Sequence, residues 1–128
     1  MDQKQKANAI SKEIIGAAIQ VHSVLGPGLL ESAYEACLSY ELSTRKVNHR
    51  LQVALPIKYQ GLSLDAGYRI DLLVEDLVIG EIKSVDSLAK IHEAQLITYL
   101  KLTNKWLGLL INFNVLLLKN GIRRIVLG

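Results

Sequence analysis

Two short runs carry the residues best suited to chemistry, Arg69-Ile70-Asp71 and Glu81-Ile82-Lys83. Each lies in a stretch of β character, and the two stretches read as a hairpin. Two carboxylates and a lysine on one sheet face can hold a divalent cation and meet a phosphate. A hard cation such as Mg2+, or Mn2+, takes oxygen ligands, usually one or two carboxylates completed by water and substrate phosphate. Asp71, Glu81 and the main-chain carbonyl of Ile82 offer that set. The cation lowers the pKa of a bound water and offsets charge building on the phosphate, while Lys83 beside it holds the attacking water or the oxyanion. The chemistry expected is metal-dependent hydrolysis of phosphodiesters.

That expectation depends on strand register. Side chains alternate faces along a strand. If the turn is Glu75-Asp76-Leu77, Asp71 lies opposite Glu81. One face then carries Ile70, Leu72, Val74, Val78, Gly80 and Ile82, and the other Arg69, Asp71, Leu73, Ile79, Glu81 and Lys83. A turn one residue shorter sets Glu81 among the aliphatics, and burying an unpaired carboxylate is costly. The first register is therefore expected, with Asp71, Glu81 and Lys83 convergent. Taken alone, this spacing also fits a surface ion-pair cluster on an ordinary hairpin.

The elements that must position these groups follow from hydrophobic periodicity. Ile10, Ile14, Ala17, Ala18, Val21, Val24 and Leu25 predict a helix over Ala9–Leu25, broken by Gly26-Pro27-Gly28. A second amphipathic helix is predicted over Leu29–Lys46 on the stripe Leu30, Ala33, Tyr34, Cys37, Leu38 and Leu42. Strands are predicted over Val53–Tyr59, Ala66–Val74 and Val78–Ser84, with Pro56 marking an edge position or a bulge. A third helix spans Ser87–Thr103, capped by Asp86 or Ser87. Strands Trp106–Phe113 and Gly121–Leu127 complete the order ααβββαββ, an α/β sandwich with a mixed sheet flanked by helices.

The 128 residues suit one domain spanning 1–128 with its own core. Half the residues are hydrophobic, yet no apolar run approaches the roughly 18 residues of a membrane span. The polar start Met1-Asp2-Gln3-Lys4-Gln5-Lys6 is no signal peptide, so a cytoplasmic address is expected. The net charge of +3 and a pI near 9.0 are compatible with a nucleic-acid partner without demanding one. Cys37, the only cysteine, has no ligand-spaced partner for structural zinc.

The segment Gly28-Leu29-Leu30-Glu31-Ser32-Ala33-Tyr34 resembles the signature of the GxxExxY protein family, which is grouped with the PD-(D/E)XK nuclease superfamily. The likeness runs through Ile15-Gly16-Ala17-Ala18, His22, Leu25-Gly26-Pro27-Gly28, Gly67-Tyr68-Arg69-Ile70-Asp71, Glu81-Ile82-Lys83, His92-Glu93-Ala94-Gln95-Leu96 with Tyr99, and Gly108-Leu109-Leu110-Ile111-Asn112-Phe113. It implies a restriction-endonuclease-like sandwich, with Asp71, Glu81 and Lys83 as the catalytic motif and Mg2+ or Mn2+ as cofactor. It also implies Glu31 as an acidic group at the metal site and Gln95 as the glutamine on the helix after the motif. Ile70 stands where the superfamily's name has proline.

Further candidates gather around that core. Gln95 and Tyr99 share a helix face with His92, and that face can meet phosphate or base edges. Arg69 is expected to bind phosphate or to pair with Glu81 or Asp86. Glu35 is expected at the surface, Tyr34 in the core with its hydroxyl satisfied, and His22 in a capping or packing role. Lys119, Arg123 and Arg124 can form a basic edge. The partner expected is nucleic acid, DNA before RNA, met by a homodimer with no membrane contact. Two rivals remain: a catalytically silent nuclease-fold protein that binds nucleic acid or acts as a scaffold, and a metal-dependent hydrolase of small phosphate esters.

Overall fold

A computed structural model describes residues 2–128. Helix α1 (Gln3–Leu25) starts earlier than the apolar periodicity predicts. Asp2 and Gln5 form a reciprocal capping pair: the Gln5 amide donates to Asp2 Oδ1 (2.7 Å), and the Asp2 amide donates to Gln5 Oε1 (3.0 Å). Gly26, at a φ of 69°, ends the helix. Helix α2 (Glu31–Thr44) joins α1 in one apolar layer.

Where a single strand over Val53–Tyr59 is expected, the chain makes two. Strand β1 (His49–Ala54) ends before Pro56, and β2 (Ile57–Tyr59) pairs only with β3 (Leu62–Leu64) in a separate hairpin. Proline has no amide to donate and stands at the break. Strands β4 (Arg69–Val74) and β5 (Val78–Lys83) form the central hairpin. Helix α3 (Lys90–Thr103) begins three residues later than predicted, capped by neither Asp86 nor Ser87. Instead the Ala89 amide donates to the Nδ1 of His92 at 3.0 Å. Strand β6 (Leu107–Asn112), a 3-10 turn over Leu118–Gly121 and β7 (Ile122–Val126) close the chain.

The main sheet has the order β1-β4-β5-β6-β7. Only β5 and β6 run parallel, and α3 is the crossover that joins them. The sheet separates two apolar layers. Ile14, Ala18, Tyr34, Leu38 and Leu42 of α1 and α2 cover Leu72, Val74, Val78, Ile82 and Leu109. Leu96, Tyr99 and Leu100 of α3 cover Leu73, Ile79 and Leu110 on the other face. A Cβ on Gly108 would meet Leu96 Cδ1 at 2.8 Å, so α3 seats directly over a glycine of β6. No helix among the described residues is long and apolar enough to cross a membrane.

The β4–β5 register is the expected one. Val74 pairs Val78, Leu73 pairs Ile79 and Leu72 pairs Gly80 around the turn Glu75–Leu77, which aligns Asp71 with Glu81. Two adjacent side chains, Ile70 and Asp71, depart from the expected alternation. Asp71 lines a recess with Glu31, Ser32 and Glu35 of α2, while Lys83 lines the cleft on the α3 side. Ile70 packs with Leu73 and Ile79 on the α3 side, not with Leu72. The cause lies in the neighbouring strand. The β1–β4 ladder pairs Leu51 with Leu72 and Val53 with Ile70 but skips Gln52 and Asp71. Gln52 has a φ of 51°, so the edge turns sharply beside Asp71.

A candidate metal-dependent nuclease site

Beyond Leu72–Gly80 the hairpin changes character. The Asp71 amide donates to Glu81 Oε2 at 2.9 Å, and the Ile82 amide donates to Asp71 Oδ2 at 2.9 Å. Each carboxylate thus accepts a main-chain N–H of the facing strand, and the two acids are locked across the splayed end of the ladder. Gln52 reaches in from the edge. Its Nε2 donates to Asp71 Oδ1 (3.2 Å) and to Glu35 Oε1 (2.5 Å). The left-handed backbone of Gln52 costs on the order of 1 kcal/mol, and it aims this amide between β4 and α2.

Glu81 is only 4 % exposed, although its register was argued from the cost of burying a carboxylate. The register holds, but Glu81 is buried all the same. Its pKa is pushed up to about 8, first by burial and then by the charge of Asp71, with Glu31 adding to the rise; the Asp71 amide and Lys83 oppose it. A buried acid beside a second acid, with a lysine close enough to oppose the shift, is a group short of positive charge. This donor set fits a hard divalent cation: two carboxylates, each with one oxygen already held by a main-chain amide, and the carbonyl of Ile82, the residue after Glu81.

Glu31 stands a step back. It begins α2, and its Oε2 accepts the Ser84 amide at 3.2 Å while Ser84 Oγ donates to Leu29 O at 2.6 Å. These bonds stitch the entry of α2 to the end of β5. Glu31 lines one recess of about 280 Å³ with Asp71, Ile82, Glu35, Gln52 and Ser32. Among the described residues no three Asp, Glu, His or Cys side chains group as a ligand set on their own.

On the α3 side, Lys83, His92, Gln95 and Tyr99 line a single cleft of about 710 Å³, as their helical spacing predicts. Tyr99 has its pKa raised by burial and by the nearby Glu81, Tyr68 and Asp71, so its hydroxyl remains a proton donor. With Nδ1 of His92 accepting from Ala89, the neutral ring carries its proton on Nε2. Arg69 joins neither expected partner. It donates to Tyr68 O at 2.9 Å and stands 3.8 Å from Asp65, outside the residues lining the cleft. Of the basic edge, Arg123 bonds main-chain carbonyls of Asn120 and Ile122, and Arg124 bonds Asn8 and lies over the Trp106 ring.

Several supporting residues carried no clear signal. Glu35 was expected at the surface and instead holds Gln52. Gln52 itself sits in an unremarkable edge strand, and only its φ reveals it. Asn112 interrupts an apolar strand, a signal that could have been read further: it is buried and bonds both the amide and the carbonyl of Val85, fixing the chain just after Lys83. Tyr34 fulfils its expected role. Its hydroxyl donates to Gly26 O (2.6 Å) and accepts from the Leu29 amide (3.1 Å), and its ring stacks on Phe113 at 4.5 Å. His22 packs rather than caps, against Phe113 and with Nε2 2.7 Å from Val115 O.

Paired acids and a lysine on a splayed central hairpin, between flanking helices, describe a nuclease fold of the restriction-endonuclease type. The family model of the PD-(D/E)XK nuclease superfamily matches residues 8–125, and the chain belongs to that superfamily. No curated protein and no solved structure matches the chain.

Proposed function

We propose that this protein is a Mg2+-dependent nuclease, with Mn2+ as a substitute, that hydrolyses phosphodiester bonds of DNA. The observation that carries the reading is the interlock of Asp71 and Glu81 across the hairpin, with Glu81 buried beside Lys83. Superfamily membership supports nuclease chemistry with a divalent cation; the donor chemistry supports Mg2+ or Mn2+ over zinc, since the set holds carboxylate and carbonyl oxygen without histidine or thiolate.

Asp71, Glu81 and the Ile82 carbonyl would hold the cation, with Glu31 positioned to anchor a water at its edge. A bound divalent cation supplies Lewis-acid activation of water and neutralises charge on the phosphate. The chain's own residues do the rest. The backbone amides of Asp71 and Ile82 fix the two carboxylates before substrate arrives, so little reorganisation is needed. Lys83 presents positive charge to the phosphate as negative charge develops there. Gln95 and the Tyr99 hydroxyl supply neutral donors to phosphate or sugar, and His92 Nε2 can supply another. The mildly basic balance of the chain supports a polyanionic substrate. The reading includes action as a homodimer, which sedimentation would check.

The test is cleavage of linear, nicked, branched and single-stranded DNA, with RNA alongside, in Mg2+ or Mn2+. Cleavage should require the cation and fall at least 100-fold in Lys83→Ala and in Asp71→Ala. Cleavage that survives both substitutions would assign the activity elsewhere. Tight DNA binding with no cleavage of any substrate would leave the silent scaffold as the better account.

A further inference from the structure

The cleft beside Lys83 is not built like a phosphate groove. Apart from Lys83, His92, Gln95 and Thr98, its walls are Ile57, Leu64, Ala66, Tyr68, Ile91, Tyr99 and Leu102. One wall is α3. The other is the β2–β3 hairpin with the segment that follows it, and this hairpin pairs with no strand of the main sheet. The flap leaves large apolar groups open: Tyr68 is 46 % exposed, Leu64 49 %, and Ile91 across the cleft 70 %. A paired duplex presents phosphates and stacked edges to a protein, and neither gains from such walls. An unstacked base presents an apolar π face, and aromatic and aliphatic side chains receive it well. The charge pattern completes the fit, because the one lysine lining the cleft is Lys83, shared with the carboxylate site, where the phosphate of that same nucleotide would lie.

We propose that the cleft between the β2–β3 hairpin and α3 is a subsite for an unpaired nucleobase, stacked on Tyr68 and flanked by Ile91 and Leu64, which makes single-stranded or frayed DNA the preferred substrate. The inference rests on the nuclease reading for the position of the scissile phosphate, but base binding can be measured without cleavage. The hairpin acts as a specificity-determining wall, and Tyr68 is a substrate-binding residue.

Fluorescence anisotropy in Ca2+ should compare a labelled single-stranded oligodeoxynucleotide, the same strand in a blunt duplex, and the same strand with abasic positions. Base–aromatic stacking sets the expected size, roughly ten-fold per base. The single strand should bind about ten-fold more tightly than the duplex, and the abasic strand should lose that advantage. Tyr68→Ala should lose it as well, whereas Tyr68→Phe, which keeps the ring, should retain it. Equal binding of the intact and abasic strands by the wild-type protein would overturn the base subsite, whatever the variants do. Cleavage in Mn2+ is scored separately: a nuclease that cuts blunt duplex as fast as single strand sinks this inference and leaves the nuclease reading standing. Absence of all cleavage, with single-strand preference intact, sinks the nuclease reading and keeps the base subsite.

Discussion

The two ends of the β4–β5 hairpin solve opposite problems. At the turn end, Val74 and Val78 pair in a regular ladder and are fully buried under α1 and α2. The Leu77 amide donates to Val74 O and the Glu75 amide to Asn48 O, each at 2.9 Å. At the open end, carboxylates replace the ladder. Asp71 and Glu81 accept the amides that pairing would otherwise use, and Glu81 is held in the interior with its pKa near 8. At one end only aliphatic side chains enter the core. The other keeps a pair of acids that the fold would be more stable without. The difference shows how a single hairpin can anchor a core and carry a site: stability is gathered at the turn, and the cost of the acids is confined to the last rungs.

The comparison can be broken at either end. The largest effect is expected from Asp71→Asn, which keeps the shape of the open end and removes its charge. Cleavage should fall by about 1,000-fold or more, equal to roughly 4 kcal/mol of transition-state stabilisation, with thermal unfolding little changed; steady-state rates beside melting curves check this. At the apolar end, Leu72→Ala should cost about 3 kcal/mol of stability by urea titration, because Leu72 is buried in the α1–α2 layer and fills the space over Gly80. Its residual activity, corrected for the folded fraction, should stay near that of the parent.

Acidity sharpens the contrast further. Glu81 binds its proton more tightly in the folded chain, with a pKa of about 8 against an ordinary 4.5. The folded state therefore holds more protons between those values, and stability should fall as pH rises from about 4.5 through 8. Glu81→Gln should flatten that part of the profile and, at pH 8 in chelator, be the more stable protein by on the order of 3 kcal/mol, while losing activity. Chemical denaturation across pH checks the sign; a variant less stable than the parent at pH 8 would contradict it. The smallest effect belongs to Gln52→Ala. Removing its bonds to Asp71 and Glu35 should change stability by only about 1 kcal/mol, yet lower cleavage by freeing the Asp71 carboxylate.

Much of this is legible in the sequence. Alternation along Arg69–Val74 and Val78–Lys83 was strong enough to fix the turn at Glu75–Leu77 and so to bring Asp71 opposite Glu81. Helical spacing placed His92, Gln95 and Tyr99 on one face, and they share the cleft with Lys83. The rest depended on tertiary context. Ile70 changes side because the edge strand turns at Gln52, a residue whose left-handed backbone no local rule announces. Glu81 is buried although it is charged, and strand alternation reports a residue's face, not how deeply that face is covered. Pro56 was read as an edge or bulge signal, but its effect was larger, dividing one expected strand and releasing the β2–β3 hairpin. The start of α3 was missed because a histidine side chain, rather than Asp86 or Ser87, receives the first free amide.

The central claim is that Asp71, Glu81 and the segment around Ile82 make one cation site. Calorimetric titration of Mn2+ into the protein tests it most directly. A single site should appear whose affinity strengthens as pH rises toward 8, because the cation must displace the proton on Glu81, and Asp71→Ala or Glu81→Ala should weaken it severely. Binding of equal strength in the parent and in both variants would contradict the account.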